Sequence, residues 1–316
     1  MSIKLPISKS IANRILLLQA IHGDPLMRVS SDMPDDVLVL HDALARLRGY
    51  KKGVPLTLHL KNCGTALRFL QVHLEKCYPG EPITLTGDPR LMERDDKPTS
   101  QTISARILHG ENIPPEPNES PYITMSRHMA EAYSEAGLLE PDWSAAAFWY
   151  EYIAIHGGEL LLEGLTDESL QGDRVVADIY AEYFGVDTTF VPEGAILQAK
   201  PVFEHGGLPV AVRIEQGLLS LSEAVSIDFV NIPDLYPAIA LTCERLGITL
   251  HATGTERLRY KESDRLEAVR LHEVRNDHRM AMALMAADFP VADDELACIA
   301  KSYPNFISQW RACHLS

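Results

Sequence analysis

Residues 8–14 read Ser8-Lys9-Ser10-Ile11-Ala12-Asn13-Arg14 and put two cations and two hydroxyls at the start of a helix. Pro6 blocks helix before them and the apolar run Ile15-Leu16-Leu17-Leu18 follows, so Ser8 suits the N-cap of a helix running to about Gly23. The free N–H groups and positive dipole end of such a helix attract an anion. Lys9 falls in the first turn, and Arg14 lies four residues after Ser10, on the same face. Taken alone, the stretch fits an amphipathic helix with solvated charges equally well.

Working outward, helix and strand patterns alternate along the whole chain, which predicts an α/β fold. Residues 55–60 alternate like a half-buried strand, and Gly64-Thr65 opens an apolar-periodic helix. A second strand, residues 82–87, ends in Gly87, and another helix is expected near 124–137. After the proline-rich loop at 113–117 the texture shifts, and Asp142-Trp143-Ser144 caps a new helix rich in alanine. A domain boundary is expected near 140. Residues 247–252 read as a further strand, and Ala297-Cys298-Ile299-Ala300 as a strand ended by Lys301.

The chain has 316 residues with 46% hydrophobic content, enough for two domains with their own cores. A formal net charge of −15 argues against nucleic acid or an anionic membrane as a broad partner. An acidic chain that still gathers cations at particular motifs points to a local anion site. Five scattered cysteines without a CxxC pair fit a reducing cytosol, and a cytoplasmic protein is expected. Residues 1–22 lack the apolar length of a signal peptide, and no apolar run reaches the length of a membrane span.

Other anion-friendly constellations accumulate. Asn62-Cys63-Gly64-Thr65 is a strand-to-helix turn where Gly64 permits close backbone approach, Thr65 can cap, and Arg68 follows one turn later. An ordinary glycine turn reads the same way. Arg90 to Arg94 follow a strand end, and Thr99-Ser100-Gln101 put donors at a helix start; a solvated cluster and a common cap account for these singly. Lys261 and Arg265, read as sharing a helical face, would repel at that spacing, so an anion explains them better than a salt-bridge face. Asn276-Asp277-His278-Arg279 starts a further helix. His272 and His278 are six apart rather than the four that one helical zinc site needs, so no metal is assigned there. Walker and GxGxxG loops are missing from the sequence.

Together these motifs resemble the 5-enolpyruvylshikimate-3-phosphate synthase family of enolpyruvyl transferases. The matching pieces are LPISKSIANR (5–14), NCGTALRFL (62–70), LTGDPRLMER (85–94), TSQTISA (99–105), SPYITMS (120–126), DFVNIPDLYPAIALTC (228–243), GTERLRYKESDRLEA (254–268), NDHRMAMA (276–283) and AKSYPNF (300–306). Each piece is weak alone; the ordered set is specific. The resemblance implies two similar inside-out α/β domains built of repeated βαβαββ units, closing on substrates at their interface. By it, one domain spans 9–140 on the shikimate 3-phosphate side. The other combines 1–8 with 141–316 and carries the catalytic base and part of the phosphoenolpyruvate site. The implied reaction moves the enolpyruvyl group of phosphoenolpyruvate to the 5-hydroxyl of shikimate 3-phosphate through a tetrahedral intermediate that loses phosphate. No cofactor or metal is implied, the partners are these two small molecules, and a monomer is expected.

Carried over residue by residue, Asp234 matches the base at the 5-hydroxyl, although a carboxylate beside proline also reads as a turn residue. Glu262 and Lys9 match the candidate proton donors, and which of them delivers each proton stays open. Lys9, Arg94, Arg265, Arg279 and Lys301 match the phosphoenolpyruvate cations, with Gly64 approaching by its backbone and Gln101 touching both substrates. Lys9, Ser10, Arg14, Thr99, Ser100, Gln101, Ser120, Tyr122, Asp234 and Lys261 match the shikimate 3-phosphate contacts. His278 matches a histidine near the reacting centre, or serves only as a helix start.

The chain also departs from the family. The segments after Arg94 and between Arg265 and Asn276 are short, as are the loops around 49–54 and 108–118, and Cys63, Asp95 and Thr99 stand where alanine, proline and serine are usual. Deleting strands from a closed α/β unit exposes sheet edges. Two other readings are an enolpyruvyl transferase acting on UDP-N-acetylglucosamine and a noncatalytic anion-binding relative. The TSQ and SPY pieces and the retained carboxylates and cations favour the shikimate enzyme over both.

Overall fold

The structure, a computed structural model, describes residues 1–92, 99–133, 139–199 and 224–314. By its internal contacts the chain divides into two compact units, Ile7–Leu139 and Met1–Pro6 joined with Glu140–Ser316.

Strand β1 (Ser2–Ile3) opens the chain and belongs to the second unit. The Ile7–Leu139 unit begins with α1 (Lys9–His22), which stops at Gly23 in the left-handed conformation. Ser8 is its N-cap by backbone, yet its side chain makes no capping bond. Residues Ile11 to Gln19 are all buried, Arg14 included, so α1 is a core helix and not one with a solvated charged face. In α2 (Asp35–Arg48), acidic residues fill the first turn and arginines the last, complementing the helix dipole.

Strand β2 (Leu56–His59), helix α3 (Gly64–Cys77) and strand β3 (Ile83–Thr86) form a βαβ crossover, the strands parallel from Leu56↔Ile83 to His59↔Thr86. Beyond β3, Gly87 lies against Lys61 so closely that a Cβ would sit 2.6 Å from the Lys61 carbonyl oxygen. Short α4 (Pro89–Met92), α5 (Ser100–Leu108) and α6 (Pro121–Glu131) complete the unit. Helix α5 packs between α3 and α6, and α1 packs on α2 and α6.

The second unit is organised by α7 (Trp143–His156), capped by the Asp142 side chain accepting from the Ala145 N–H at 3.1 Å. Every α7 residue except Ser144 and His156 is buried, as expected of a helix apolar all round. It packs against β4 (Gly158–Glu163), α8 (Val176–Tyr183) and β6 (Gly194–Ala199), which follows β5 (Asp187–Val191). The sheet has the order β1-β4-β6-β5, with β1 parallel to β4 and the other pairs antiparallel. Gly194, at φ 152°, is fixed by crowding: a Cβ would stand 2.1 Å from the Leu162 carbonyl oxygen.

Strand β7 (Ala224–Asp228), helix α9 (Tyr236–Leu246) and strand β8 (Thr249–Thr253) repeat the βαβ plan, parallel from Ala224↔Thr249 to Asp228↔Thr253. The sheets of these two βαβ units each have two strands among the described residues. Helices α10 (Arg265–Leu271), α11 (His278–Ala286) and α12 (Phe306–His314) follow. The Tyr303 hydroxyl accepts from Trp149 Nε1 at 3.2 Å and reaches the Lys4 carbonyl oxygen at 3.3 Å, tying the first residues to α7.

Two local expectations give way. Lys261 does not share a helix with Arg265: it follows a 3-10 turn (Glu256–Tyr260) in extended conformation, and α10 starts only at Arg265. Lys301 ends a 3-10 helix (Asp293–Lys301), not a strand, because the run of acidic residues at its start breaks strand alternation. None of the described helices is long and apolar enough to cross a membrane.

Candidate active site

The short connection between α10 and α11 is where local backbone and chemistry meet. His272, Arg275 and Asn276 all take positive φ (54°, 52° and 56°), a conformation that asparagine tolerates better than most residues. This tight reversal delivers Asp277 to the N-cap of α11, where its side chain accepts from the Arg279 N–H at 3.0 Å. The same carboxylate receives Arg265 Nε at 2.8 Å and the Ser263 hydroxyl at 3.1 Å. Burial favours the neutral form of Asp277, but Arg265 overrides this and its pKa falls below the usual carboxylate range.

Asp234, presented just before α9, is held by three cations. Its Oδ1 receives Arg265 Nη1 at 2.8 Å and Lys261 Nζ at 3.4 Å, and its Oδ2 receives Arg279 Nη2 at 3.1 Å. Burial lowers the Lys261 pKa, and the neighbouring Arg265 and Arg279 add to the effect. Glu262 lies between two further groups, Lys301 Nζ at 2.8 Å and His278 Nδ1 at 2.8 Å, with the His278 side chain fully buried. Lys261, Arg265, His278, Arg279 and Lys301 are therefore assembled around three carboxylates, Asp234, Glu262 and Asp277. Mutual repulsion of Lys261 and Arg265, which the spacing alone left uncompensated, is answered by Asp234.

Asp173 was not anticipated. It sits in the 3-10 turn Gly172–Val175, 6% exposed, and accepts from the Ser144 hydroxyl. Burial and the nearby Asp234 charge raise its pKa to about 6. The signal available for it was Gly172-Asp173 immediately before the apolar segment of α8.

In the Ile7–Leu139 unit the remaining residues gather at helix starts. Lys9 Nζ pairs with Asp36 Oδ2 at 3.4 Å. Arg14 is fully buried and joins three helices: Nε donates to Ser126 Oγ at 2.8 Å, Nη1 to the Ser10 carbonyl at 2.7 Å, and Nη2 to the Tyr122 carbonyl at 2.8 Å. Nη2 also reaches Ser104 Oγ at 3.3 Å and Gln101 Oε1 at 3.5 Å. The guanidinium lies over the Phe69 and Tyr122 rings, 5.6 and 5.9 Å from their centroids. Arg14 thus brings Ser10, Gln101 and Tyr122 together. Thr99 caps α5 in a capping box with Thr102, Ser100 is the first helical residue, and Ser120 is the N-cap of α6. Gly64 is the first residue of α3, whose cap is the Cys63 thiol accepting from the Ala66 N–H at 3.4 Å, and not Thr65. Arg94 lies outside the described residues.

Cations clustered on carboxylates mark one unit of this α/β protein, and hydrogen-bond donors at helix starts mark the other. A family model for EPSP synthase (3-phosphoshikimate 1-carboxyvinyltransferase) matches residues 122–275. A 3-phosphoshikimate 1-carboxyvinyltransferase of Bacteroides fragilis is 25% identical over 410 aligned residues, covering 96% of this chain and 93% of the relative. One of Vibrio cholerae is 25% identical over 429 residues, covering 98% and 95%. Among solved structures, an EPSP synthase of Acinetobacter baumannii superposes with a TM-score of 0.57 at 17% identity, covering 98% of this chain and 94% of that one. The chain is similar to the EPSP synthase family over residues 122–275 and has the two-domain α/β fold of that solved structure. Alignments of 410 residues and more, against a chain of 316, carry long stretches that only the relatives possess.

Proposed function

We infer that this protein is a 3-phosphoshikimate 1-carboxyvinyltransferase, joining the enolpyruvyl group of phosphoenolpyruvate to the 5-hydroxyl of shikimate 3-phosphate and releasing phosphate. The observation that carries this reading is the convergence of Lys261, Arg265 and Arg279 on Asp234, with Glu262 between His278 and Lys301. Two phosphates and two carboxylates enter such a reaction, and bidentate arginines with lysine point charges suit them.

Asp234 serves as base for the 5-hydroxyl. An oxygen held by Arg265 and Lys261 is poorly placed to take a further proton, so substrate anions must first draw those cations away. Phosphoenolpyruvate does this through Arg265, Arg279 and Lys301, with Lys9, Arg94, Gly64 and Gln101 as its further contacts. The methylene carbon gains a proton from Glu262 or Lys9, while the hydroxyl oxygen attacks the neighbouring carbon. Loss of a methyl proton and of phosphate from the tetrahedral intermediate then regenerates the carbon–carbon double bond, now in an enol ether. Shikimate 3-phosphate is assigned to Lys9, Ser10, Thr99, Ser100, Gln101, Ser120, Tyr122, Asp234 and Lys261, with Arg14 holding the helix starts that present several of them. We assign residues 9–140 to the shikimate 3-phosphate side and residues 141–316, with the first eight, to the base and part of the phosphoenolpyruvate site. A monomer in the cytoplasm is the state proposed, supported for compartment by five free cysteines.

The test is phosphate release from phosphoenolpyruvate with shikimate 3-phosphate, with UDP-N-acetylglucosamine, or alone. Release only with shikimate 3-phosphate is expected. Release with the nucleotide sugar instead, or binding of phosphoenolpyruvate with no release from either, would overturn the assignment.

A further inference from the structure

Away from the candidate active site, three metal-ligating side chains meet at the far ends of α3 and α5. His73 and Cys77 lie four residues apart on α3, hence on one face, and His109 is the residue that ends α5. His73 Nδ1 stands 3.3 Å from His109 Nε2 and 3.8 Å from Cys77 Sγ, and all three atoms lie within 4.8 Å of one another.

From these distances we propose that His73, Cys77 and His109 form a site for a single borderline-soft divalent cation of the zinc type. With Zn–N of about 2.0–2.1 Å and Zn–S of about 2.3 Å, tetrahedral ligation sets nitrogens roughly 3.4 Å apart and nitrogen from sulfur roughly 3.6 Å apart. The observed 3.3 and 3.8 Å fit that frame closely. Two imidazoles and one thiolate are the ligand set such an ion prefers over the oxygen-seeking Mg²⁺ or Ca²⁺. Cys77 is exposed, which gives an ion access from solvent.

The neighbouring charges are already matched. Glu111 accepts from Lys76 at 2.7 Å and Arg106 at 3.0 Å, and Arg106 also holds Glu75 at 2.9 Å. Glu111 is therefore engaged elsewhere, and water completes the fourth position. Because the C-terminal ends of α3 and α5 meet here and the two helices pack together, they run in the same direction. Their N-terminal ends carry Gly64 and Thr99-Ser100-Gln101. The ion clamps the pair at the end opposite those residues and takes no part in the transfer reaction.

The test titrates Co²⁺ into the reduced, chelator-free protein, its Cys77→Ser variant and its His109→Gln variant, following absorbance and thermal unfolding. One Co²⁺ per chain with a thiolate-to-cobalt charge-transfer band is expected, displaced by Zn²⁺, with Tm raised by Zn²⁺. The Cys77→Ser variant loses the band and the Tm response, and His109→Gln binds at least about tenfold more weakly. Unchanged circular dichroism in both variants shows that they fold. No band at saturating Co²⁺, or a band that persists in Cys77→Ser, overturns the proposal and leaves His73 and His109 as a hydrogen-bonded pair.

Discussion

Arg265 Nη1 donates to Asp234 Oδ1 at 2.8 Å from a side chain only 2% exposed. Its Nε meanwhile holds Asp277, so one guanidinium joins the proposed base to the cap of α11. Breaking a buried pair by removing one partner typically costs about 3–5 kcal/mol, because the other charge is left stranded. Arg265→Met is therefore expected to lower Tm as well as activity, whereas Arg265→Lys keeps charge but cannot serve both carboxylates. Thermal unfolding of both variants checks this; a Tm equal to the parent's in Arg265→Met would contradict the shared grip.

Arg14 is expected to matter more for stability than for chemistry. Replacing it by lysine removes the fork that reaches Ser126, Tyr122 and Ser10 and leaves a buried charge that cannot satisfy all these partners at once, at a cost of about 3 kcal/mol. Urea unfolding measures this. Full stability with lost binding of shikimate 3-phosphate would instead make Arg14 a direct substrate contact.

Asp173 predicts a particular pH signature. Burial beside Asp234 raises its folded pKa to about 6, above the ordinary aspartate value of 3.8, so the folded state holds the proton more tightly than the unfolded chain. Stability from this group therefore rises as pH falls from about 6 to about 4, and above pH 6 the buried charge is a standing cost. Asp173→Asn should be more stable than the parent at pH 7–8, by up to about 3 kcal/mol, with the gap closing near pH 4. Paired unfolding curves across that range test it, and a gap that widens toward acid would have the wrong sign.

Glu262→Gln keeps the shape beside His278 and Lys301 but removes the charge that holds both. Loss of a general acid or base typically costs about 10²–10⁴ in rate. The expected result is such a fall in kcat and loss of one limb of the pH–rate profile, with the fold intact by circular dichroism. An unchanged profile would leave proton delivery to Lys9.

Much of the fold was legible where local signals act alone. Asp142 and Asp277 cap the helices they precede, Gly23 ends α1, and the alternating residues 56–59 and 83–86 are strands. Failures arose where tertiary context decides. Burial of Arg14 depends on acceptors from two later helices, although its place on the stripe Ile11-Arg14-Ile15-Leu18 hinted at it. The four-residue spacing of Lys261 and Arg265 suggested a helix that a 3-10 turn pre-empts, and Asp234, far away in sequence, neutralises both. Neither Asp173 beside Asp234 nor the left-handed turn at Arg275-Asn276 leaves a pattern in the sequence strong enough to place it.

The most direct test of the central claim is the rate of phosphate release with both substrates in the Asp234→Asn variant, alongside its affinity for phosphoenolpyruvate. A fall of about 10²–10⁴ in kcat, with phosphoenolpyruvate bound as tightly or more tightly because three cations are freed, is the predicted result. Turnover at the parental rate would contradict the account and reduce Asp234 to a counterion.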